Sequence, residues 1–352
     1  MKFDTKKNKI LYIAPSLSSF VKNDVAVLSK HFHVVTNTYA WNKKYLTPFY
    51  LLHQIYFLLK NINSTKKIIV SFGGYWSFFP ALAGKLAKID VFIILNGTDC
   101  ASIPPIKYGD LRKLPLKVFI KLSYKMATML LPVSSSLVYT KNTYYSDDKY
   151  SFQGYKHFFP EINTKSKVVS NGFDENFWKP LEEIDREPKS FLAVFSTSQY
   201  VLKGGDLILQ LARKFPECKF YIAGTGKPAF LKDGNENLVF LGKLSAGELR
   251  NYYNKSTFYF QLSIFEGFGC ALSEAMLCGC IPIGSSVNII PEIIGNSGFI
   301  LGRKDITGLE NIIHKVLMIE NKNTLGKMAR ERIKNNYNIK KREQELVSLI
   351  EG

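Results

Sequence analysis

Two glutamates flank a glycine-rich segment in the second half of the chain and are well suited to bind a polar ligand. Glu266 begins the run Glu-Gly-Phe-Gly, and Glu274 follows after seven intervening residues. Gly267 and Gly269 allow the backbone to approach a ligand closely, and a helix beginning near Cys270 would offer unpaired N–H groups to a phosphate. The two carboxylates could therefore contact different parts of one extended ligand, such as a sugar and a ribose. A strand–turn–helix with two solvated glutamates explains the same spacing, so the residues alone leave both interpretations open.

Two groups of potential metal ligands are explained better by packing and solvation. Cys270, Cys278 and Cys280 lack the paired spacing and the fourth ligand of a structural zinc site, so we expect small packing residues there. Asp147 and Asp148 lie in a polar segment, where a solvated turn is expected. The sequence therefore predicts neither a metal site nor a cofactor.

Short β-branched and aromatic runs alternate with amphipathic segments of helix length along the whole chain. Strands separated by helices predict parallel sheets with right-handed crossovers, and two such series predict two doubly wound α/β domains. The expected strands of the first series are Lys9–Ala14, His33–Thr36, Lys67–Ser71, Val91–Leu95, Met129–Val133 and Lys167–Ser170. Those of the second series are Phe191–Phe195, Lys219–Ala223, Leu238–Leu241, Thr257–Leu262 and Ile281–Ile283.

Composition and charge vary along the chain in a way that separates two domains. Residues 173–190 hold many acids and two prolines, and we expect them to link the domains. The first domain would span residues 1–172 and the second residues 191–338, and an amphipathic helix over 339–352 could pack back on the first. Residues 1–172 carry 24 basic and 8 acidic residues, a balance of +16, whereas the rest of the chain carries 23 and 21. The basic excess predicts an anionic partner for the first domain.

The segment from Ser263 to Pro282 resembles the signature of retaining family 4 glycosyltransferases, also called glycosyltransferases group 1. Further motifs follow in the order typical of that family. The resemblance implies the GT-B fold, with two Rossmann-like domains and an active site in the cleft between them. It also implies that a nucleotide-diphosphate sugar binds to the second domain and an acceptor to the first. The motifs are Lys203–Asp206, Ile222–Gly226, Val239–Gly242, Pro291–Ile294, Asn96–Asp99 and Ser170–Asp174.

The same resemblance implies roles for individual residues. Glu274 would hold the ribose hydroxyls of the donor, and Glu266 would hold the donor sugar together with N–H groups of the glycine-rich turn. Lys203 would neutralise the diphosphate, whose negative charge grows as the glycosidic bond breaks. Asn96 would join Glu266 and Lys203 as a catalytic residue. Other donor-binding residues would be Gly267, Phe268, Gly269, Cys270, Ser198, Gly224 and Thr225, and the acceptor side would include Gly97, Thr98 and Asp99.

Three positions depart from the family's pattern. An Arg usually precedes the lysine at 203, where this chain has Ser198, or Thr197 if one residue is inserted. Asn96 replaces the usual His, and its amide can donate to a sugar hydroxyl but carries no charge. Residues 16–19 replace a glycine pair. A catalytically inactive GT-B scaffold is therefore an alternative to an active transferase.

The predicted helix over Leu111–Ala127 carries a stripe of lysines beside a stripe of apolar residues. This pattern is typical of a helix that lies on an anionic membrane. The segment Lys43–Lys60 is a second candidate, apolar and aromatic with lysines at both ends. Burial of the apolar sides in the core, with solvated lysines, explains both segments as well. The lysines of the first segment are Lys113, Lys117, Lys121 and Lys125.

These observations predict an α/β protein of GT-B architecture that acts as a metal-independent hexosyltransferase. It would transfer a sugar from a nucleotide sugar to a glycan or lipid-linked acceptor with retention, in the synthesis of a surface polysaccharide or glycolipid. A hydrophobic content of 46% excludes a mainly disordered chain. No nucleic-acid-binding module accompanies the basic residues, so nucleic-acid binding is only an alternative. The absence of a signal peptide and the five cysteines, an odd number, predict a cytoplasmic location, with peripheral association at the inner face of the cell membrane.

Overall fold

The computed structural model of the chain describes residues 8–41, 43–145, 148–231 and 235–352. Up to residue 172 the helices and strands are β1 (Lys9–Ala14), α1 (Ser19–Leu28), β2 (His33–Thr38), α2 (Thr47–Asn61), β3 (Thr65–Ser71), α3 (Tyr75–Ala87), β4 (Asp90–Leu95), α4 (Leu114–Met126), β5 (Met129–Pro132), β6 (Thr140–Lys141), β7 (Phe152–Gln153), α5 (Tyr155–Phe158) and β8 (Lys165–Ser166). The remainder are β9 (Glu187–Val194), α6 (Gly205–Lys214), β10 (Lys219–Ala223), β11 (Leu238–Gly242), α7 (Ala246–Lys255), β12 (Ser256–Gln261), α8 (Cys270–Leu277), β13 (Ile281–Ser285), α9 (Ile290–Ile294), β14 (Phe299–Leu301), α10 (Ile306–Leu317), α11 (Lys322–Asn336) and α12 (Ile339–Glu351).

The chain divides into two compact units. The first contains the residues up to Lys141, together with 152–172 and 340–352. The second contains 142–151 and 173–339. Two features differ from the expected boundaries. The short segment 142–151 belongs to the second unit, and β9 begins at Glu187, inside the segment expected to be a linker.

Each unit is built on a six-stranded parallel sheet, which confirms the predicted α/β fold class. The strand order is β2-β1-β3-β4-β5-β8 in the first unit and β11-β10-β9-β12-β13-β14 in the second. The strand expected at Lys167–Ser170 is instead the two-residue strand β8, and β14 was not predicted. The order reverses between β1 and β3 in the first sheet and between β9 and β12 in the second. Ligands of doubly wound sheets bind outside the carboxyl ends of the strands at such reversals.

A stack of phenylalanines fixes the two strands that flank the reversal in the second sheet. The ring centroid of Phe191, on β9, lies 5.2 Å from that of Phe220 on β10 and 4.8 Å from that of Phe258 on β12. All three side chains are fully buried. Burial of one such side chain stabilises the fold by about 1.5–3 kcal/mol. The loops that follow β9 and β12 therefore start from a rigid base.

Among the described residues, no helix has both the length and the apolar character needed to cross a bilayer.

Candidate functional site

The loops after β9 and β12 are joined by their backbones at the reversal of the second sheet. The N–H of Ile264 donates a hydrogen bond to the carbonyl of Leu202 at 2.8 Å. Gly204 directly precedes α6 with a φ of +76°, and a Cβ on it would lie 2.6 Å from Cβ of Leu262. Only glycine adopts this conformation readily and permits this approach. Lys203 and Glu266, one on each loop, are thereby placed side by side.

Three donors converge on one oxygen of the Glu266 carboxylate. The ammonium group of Lys203 contacts Oε2. Nε2 of Gln261 donates to the same atom at 2.6 Å, and Oγ of Ser263 lies 3.1 Å from it. The Lys203 and Glu266 side chains are 15% and 14% exposed. A carboxylate with charged and neutral donors in a half-buried position is rigidly oriented and stays accessible to a ligand.

Asn288 supports the backbone of this turn from the following strand–helix connection. Its Oδ1 accepts a hydrogen bond from the N–H of Glu266 at 3.2 Å and another from Nδ2 of Asn142 at 3.0 Å. It has a φ of +50°, a conformation that asparagine tolerates better than most residues. Its own Nδ2 is buried with no partner among the described residues. Sequence reasoning did not identify Asn288, Gln261 or Ser263.

The glycine-rich turn leads directly into α8. Gly269 precedes the helix with a φ of +100°, and Cys270 is its first residue. The side chain of Phe268 is buried against Phe173 and Tyr337, at centroid distances of 5.9 and 5.3 Å. Phe268 therefore anchors the turn through its ring. Any contribution that it makes to donor binding would come from its backbone.

Glu274 lies on α8 and is almost completely buried, with an exposed fraction of 9%. The hydroxyl of Tyr253 donates to its Oε2 at 3.2 Å. Burial raises the pKa of the Glu274 carboxyl to about 8, and the Tyr253 hydrogen bond only partly opposes this shift. Burial therefore favours the protonated form of this carboxyl at neutral pH.

The loop after β10 approaches the loop after β9. Gly224 has a φ of +95°, and a Cβ on it would lie 2.6 Å from the carbonyl oxygen of Phe195. This approach brings the hydroxyl oxygens of Thr225 and Thr197 to 2.5 Å from each other. Ser198 is exposed, with its hydroxyl 3.0 Å from that of Ser196. At the position where the family usually has an arginine, this chain has hydroxyl groups.

In the first unit, Asn96 to Asp99 follow the carboxyl end of β4. Asp99 is fully buried, and its carboxylate accepts hydrogen bonds from the N–H groups of Gly73 and Gly97 at 2.8 and 2.9 Å and from the Tyr124 hydroxyl at 2.9 Å. Burial raises the pKa of the Asp99 carboxyl, and these hydrogen bonds oppose the shift. Asp99 therefore joins the loops after β3 and β4.

The side-chain amide of Asn96 presents an acceptor to its surroundings. Nδ2 donates to Oγ of Ser71 at 3.1 Å and to the carbonyl of Ile94 at 3.2 Å. Oδ1 is buried without a partner among the described residues. From the sequence this amide can donate to a sugar hydroxyl, but its Nδ2 already donates to two acceptors within the protein. The atom that remains for a ligand accepts hydrogen bonds.

The cysteines act as small packing residues where their contacts are described. Cys278 and Cys280 are fully buried, and the thiol of Cys280 donates to the carbonyl of Tyr253 at 3.0 Å. Burial raises the pKa of the Cys280 thiol. Asp147 lies outside the described residues, and Asp148 accepts a hydrogen bond from the N–H of Tyr150 at 2.7 Å. The parts of the chain that the structure describes contain no cluster of three or more potential metal ligands.

The lysines expected to form a membrane-binding stripe all have partners. Lys113 precedes α4 and pairs with Asp110 at 2.8 Å. Lys121 pairs with Glu161 at 2.6 Å, and Lys125 lies 4.0 Å from the same carboxylate. The Lys117 ammonium lies over the rings of Phe158 and Phe159. The stripe therefore carries less free charge than its sequence indicates.

Comparison with known proteins relates the second unit to one family. Residues 175–338 match the family described as "Glycosyl transferases group 1". The serotype-specific mannosyltransferase WbdA of Escherichia coli is 32% identical over 83 residues, which are 24% of this chain and 10% of that protein. One of the subunits of phosphatidylinositol N-acetylglucosaminyltransferase from Homo sapiens is 28% identical over 169 residues, 45% of this chain and 34% of that protein. The chain thus matches well under two thirds of the length of these relatives.

Solved structures share the fold over nearly the whole chain. HepE of Anabaena, crystallised in complex with UDP-glucose, has a TM-score of 0.73 at 16% identity and covers 98% of this chain and 99% of its own. Two parallel α/β units of this kind, with a glycine-rich strand–turn–helix at the reversal of the second sheet, define the GT-B architecture. The match to the group 1 glycosyltransferases covers residues 175–338, which are 164 of the 352 residues of the chain.

Proposed function

We propose that this chain transfers a sugar from a nucleotide-diphosphate sugar to a glycan or lipid-linked acceptor, with retention of anomeric configuration and without a metal ion. The observation that carries the proposal is the contact of Lys203 with Glu266 at the reversal of the second sheet. The relationship to a mannosyltransferase and an N-acetylglucosaminyltransferase supports hexosyl transfer. The complex of HepE with UDP-glucose supports a nucleotide-sugar donor.

The residues of the site suit a reaction in which negative charge moves onto a diphosphate. The bond between the sugar C1 and the diphosphate oxygen breaks, the acceptor oxygen bonds to C1, and the acceptor proton leaves to the departing phosphate. Lys203 and the N-terminus of α8 would stabilise the developing charge. Glu266, held by Gln261 and Ser263, would orient the sugar hydroxyls.

Thermal-shift titrations with UDP, GDP, ADP and their sugar conjugates, in the presence of EDTA, test the donor site first. A ligand that binds only the folded chain raises the melting temperature. We expect one nucleotide family to stabilise the protein. No stabilisation by any of them, together with salt-sensitive binding to duplex DNA, would favour a nucleic-acid-binding protein instead.

Turnover of the stabilising donor then tests catalysis, and NMR of the product's anomeric proton tests retention. Glu266→Gln keeps the shape of the side chain and removes its charge, so we expect turnover to fall about 100-fold or more. Glu217→Gln, at an exposed position of the same unit, should leave turnover unchanged. Donor binding without turnover in the wild-type chain would mean that the protein is an inactive scaffold.

We further propose that the first unit associates with the cytoplasmic face of an anionic membrane, where it would meet a lipid-linked acceptor in the synthesis of a surface polysaccharide or glycolipid. The support is a set of apolar side chains that the fold leaves exposed. Phe49, Leu52 and Leu59 on α2 are 67%, 66% and 70% exposed. Leu114 and Val118 on α4 are 73% and 46% exposed, next to the lysines of that helix. Exposed apolar groups beside cations are typical of an interfacial surface.

Sedimentation with liposomes of phosphatidylglycerol separates the two contributions. We expect Phe49→Ser/Leu52→Ser to reduce the bound fraction at every salt concentration. Changing Lys113, Lys117, Lys121 and Lys125 to Gln should reduce it mainly at low salt, because exposed charges are screened. The matched control changes four exposed lysines of the second unit to Gln. They are Lys189, Lys219, Lys315 and Lys327. Equal sedimentation of all variants would contradict membrane association.

A further inference from the structure

A short segment of the second unit interrupts the part of the chain that forms the first unit. The chain leaves the first unit after Lys141, at the end of β6, and returns to it at Phe152, the start of β7. The intervening residues 142–151 belong to the second unit. The N–H of Asn142 donates to the carbonyl of Ser151 at 2.8 Å, which closes the segment at its base. The segment therefore packs within the same unit as the glycine-rich turn.

Two residues of this segment anchor it to the rest of the unit. Tyr144 is fully buried, and its carbonyl accepts a hydrogen bond from the N–H of Lys304 at 2.7 Å. Nη1 of Arg303 donates to the carbonyl of Thr143 at 2.9 Å. Burial raises the pKa of the Tyr144 hydroxyl, and the nearby charge of Asp206, in the first turn of α6, adds to the shift. The segment is thus held against α6 and the connection after β14, so its first residue has a well-defined position.

That first residue, Asn142, forms two reciprocal hydrogen bonds with Asn288. Nδ2 of Asn142 donates to Oδ1 of Asn288 at 3.0 Å, and the backbone N–H of Asn288 donates to Oδ1 of Asn142 at 3.0 Å. The short side-chain amide of Asn142 supplies the donor and the acceptor at once. Asn142 is only 8% exposed, so water has little access to take its place. Because Asn142 presents a donor, it fixes which atom of the Asn288 amide faces it.

The same oxygen of Asn288 supports the turn that carries Glu266. Oδ1 of Asn288 accepts a hydrogen bond from the backbone N–H of Glu266 at 3.2 Å, in addition to the bond from Asn142. Other side chains hold the Glu266 carboxylate, so Asn288 acts on the backbone of this residue. If Oδ1 and Nδ2 of Asn288 exchanged places, an NH₂ group would face the N–H of Glu266, and two donors do not bond to each other. The orientation of Asn288 therefore decides whether the Glu266 backbone has an acceptor.

We propose that Asn142 is a positioning residue for sugar transfer, which acts through Asn288 on the backbone of Glu266. This role rests on the proposed function, in which Glu266 orients the hydroxyls of the donor sugar. The hydrogen bonds that connect the three residues do not depend on it. A small displacement of a group that orients a substrate slows the reaction, because the reacting atoms must meet at a defined distance and angle. A residue far from the glycine-rich turn in the sequence thus sets the rate at which that turn works.

Asn142→Asp in the full chain tests the proposal with little change of shape. A carboxylate only accepts hydrogen bonds, so it favours Nδ2 of Asn288 on its side, and Glu266 loses its acceptor. We expect turnover of the stabilising donor to fall about 10-fold, while affinity for the nucleoside diphosphate stays unchanged. Asn142→Ala removes the same donor without adding a buried charge, and its turnover should fall as well. The matched control on this segment is Ser151→Ala, which removes a buried hydroxyl that has no partner among the described residues and should leave turnover unchanged.

A double-mutant cycle with Glu266→Gln separates positioning from a general loosening of the unit. If Asn142 acts through Glu266, Asn142→Ala should slow the Glu266→Gln variant much less than it slows the wild type. An equal fall in both backgrounds, or an equal fall of turnover and nucleotide affinity, would overturn the inference. Turnover of both Asn142 variants equal to that of Ser151→Ala would also overturn it, and would leave the proposed function intact. A wild-type chain that binds the donor without turnover would contradict the proposed function, and the positioning role with it.

Discussion

The ammonium group of Lys203 contacts the same carboxylate oxygen of Glu266 that accepts hydrogen bonds from Gln261 and Ser263. Glu266 therefore does not depend on Lys203 alone for its orientation. A bound diphosphate would attract the Lys203 ammonium, while the two neutral donors would continue to hold the carboxylate. The contact thus leaves a cation near Glu266 that can be shared with a ligand.

Replacing Lys203 should weaken nucleotide binding. Lys203→Gln removes a charge-assisted contact that is typically worth about 1.5–3 kcal/mol, which corresponds to roughly a 10- to 150-fold loss of affinity for the nucleoside diphosphate. Calorimetric titration with the nucleotide that stabilises the protein measures the loss. Lys243→Gln, at an exposed lysine of the same unit, is the matched control. Equal affinity of both variants would exclude Lys203 from the diphosphate site.

Nucleotide binding should release protons. The pKa of Glu274 is raised to about 8 by burial, so its carboxyl is mostly protonated at pH 7. Ribose hydroxyls that donate to this group favour its ionised form and lower the pKa, so a proton leaves on binding. Affinity should therefore rise with pH up to about pH 8. Calorimetry at pH 7 in buffers of different ionisation enthalpy counts the protons. If Glu274→Gln releases as many protons as the wild type, another group is responsible.

The same carboxyl should make the protein less stable as the pH rises. Glu274 ionises near 4.5 in the unfolded chain and near 8 in the folded one, so between these values the unfolded chain alone carries the charge. Its contribution to folding is present below pH 4.5 and is lost as the pH rises through 8. Urea denaturation at pH 5 and pH 8 measures this loss. Glu274→Gln should lose less stability over that interval, whereas Glu217→Gln should behave like the wild type.

The sequence predicted the elements that position Lys203 and Glu266 because local patterns indicate those elements. Glu266 and Lys203 follow strands that flank the reversal of a parallel sheet, so two correctly placed strands bring them to the same edge. Glu274 was expected to contact ribose as a charged group, but the sequence did not indicate its burial. The burial of Glu274 depends on the residues of α7 and β12 that pack around it. One of them, Tyr253, lies 21 positions away from Glu274 in the sequence.

The residues that sequence reasoning missed contact residues that lie far away in the sequence, and no local pattern reveals such contacts. Gln261 lies in a strand of buried residues, so the hydrophobic pattern of the sequence does not single it out. Its place at the carboxyl end of a parallel strand is the signal that could have identified it, because such sheets bind ligands there. Asn288 forms a hydrogen bond with Asn142, which lies 146 positions away in the sequence. The lysine at 121 is neutralised by Glu161, a carboxylate on a different segment. Spacing along one helix therefore overestimated the free charge of α4.

Gly204 should tolerate substitution poorly, since it sets the position of the loop that carries Lys203. Gly204→Ala forces a Cβ into a backbone with a φ of +76° and into contact with Leu262. Such strain costs about 1–3 kcal/mol of unfolding free energy. Gly302→Ala is the control, because nothing lies within 4 Å of a Cβ at that position and its φ is not positive. Equal urea midpoints for the two variants would contradict the predicted strain.

The C-terminal helix α12 should depend on one buried ion pair. Nε and an Nη of Arg342 donate to Asp24 at 2.5 and 2.7 Å, and the two side chains are 2% and 1% exposed. Arg342 also donates to the carbonyls of Val169 and Ser170, and Tyr12 donates to Asp24 at 2.9 Å. The pair thus joins α12, α1 and the segment after β8 within the first unit.

Removing one partner of this pair should destabilise the first unit strongly. Arg342→Met leaves the Asp24 carboxylate buried without its cation, and the expected loss is about 3–5 kcal/mol of unfolding free energy. Glu343→Gln on the same helix is the control. Glu343 contacts Lys30 and His31, whose side chains are 59% and 41% exposed, so its loss should cost no more than about 1 kcal/mol. Denaturation followed by far-UV circular dichroism measures both variants. The double variant Asp24→Asn/Arg342→Met should recover part of the loss, because it removes the unpaired charge. No recovery would mean that packing of the arginine, rather than its charge, holds the helix.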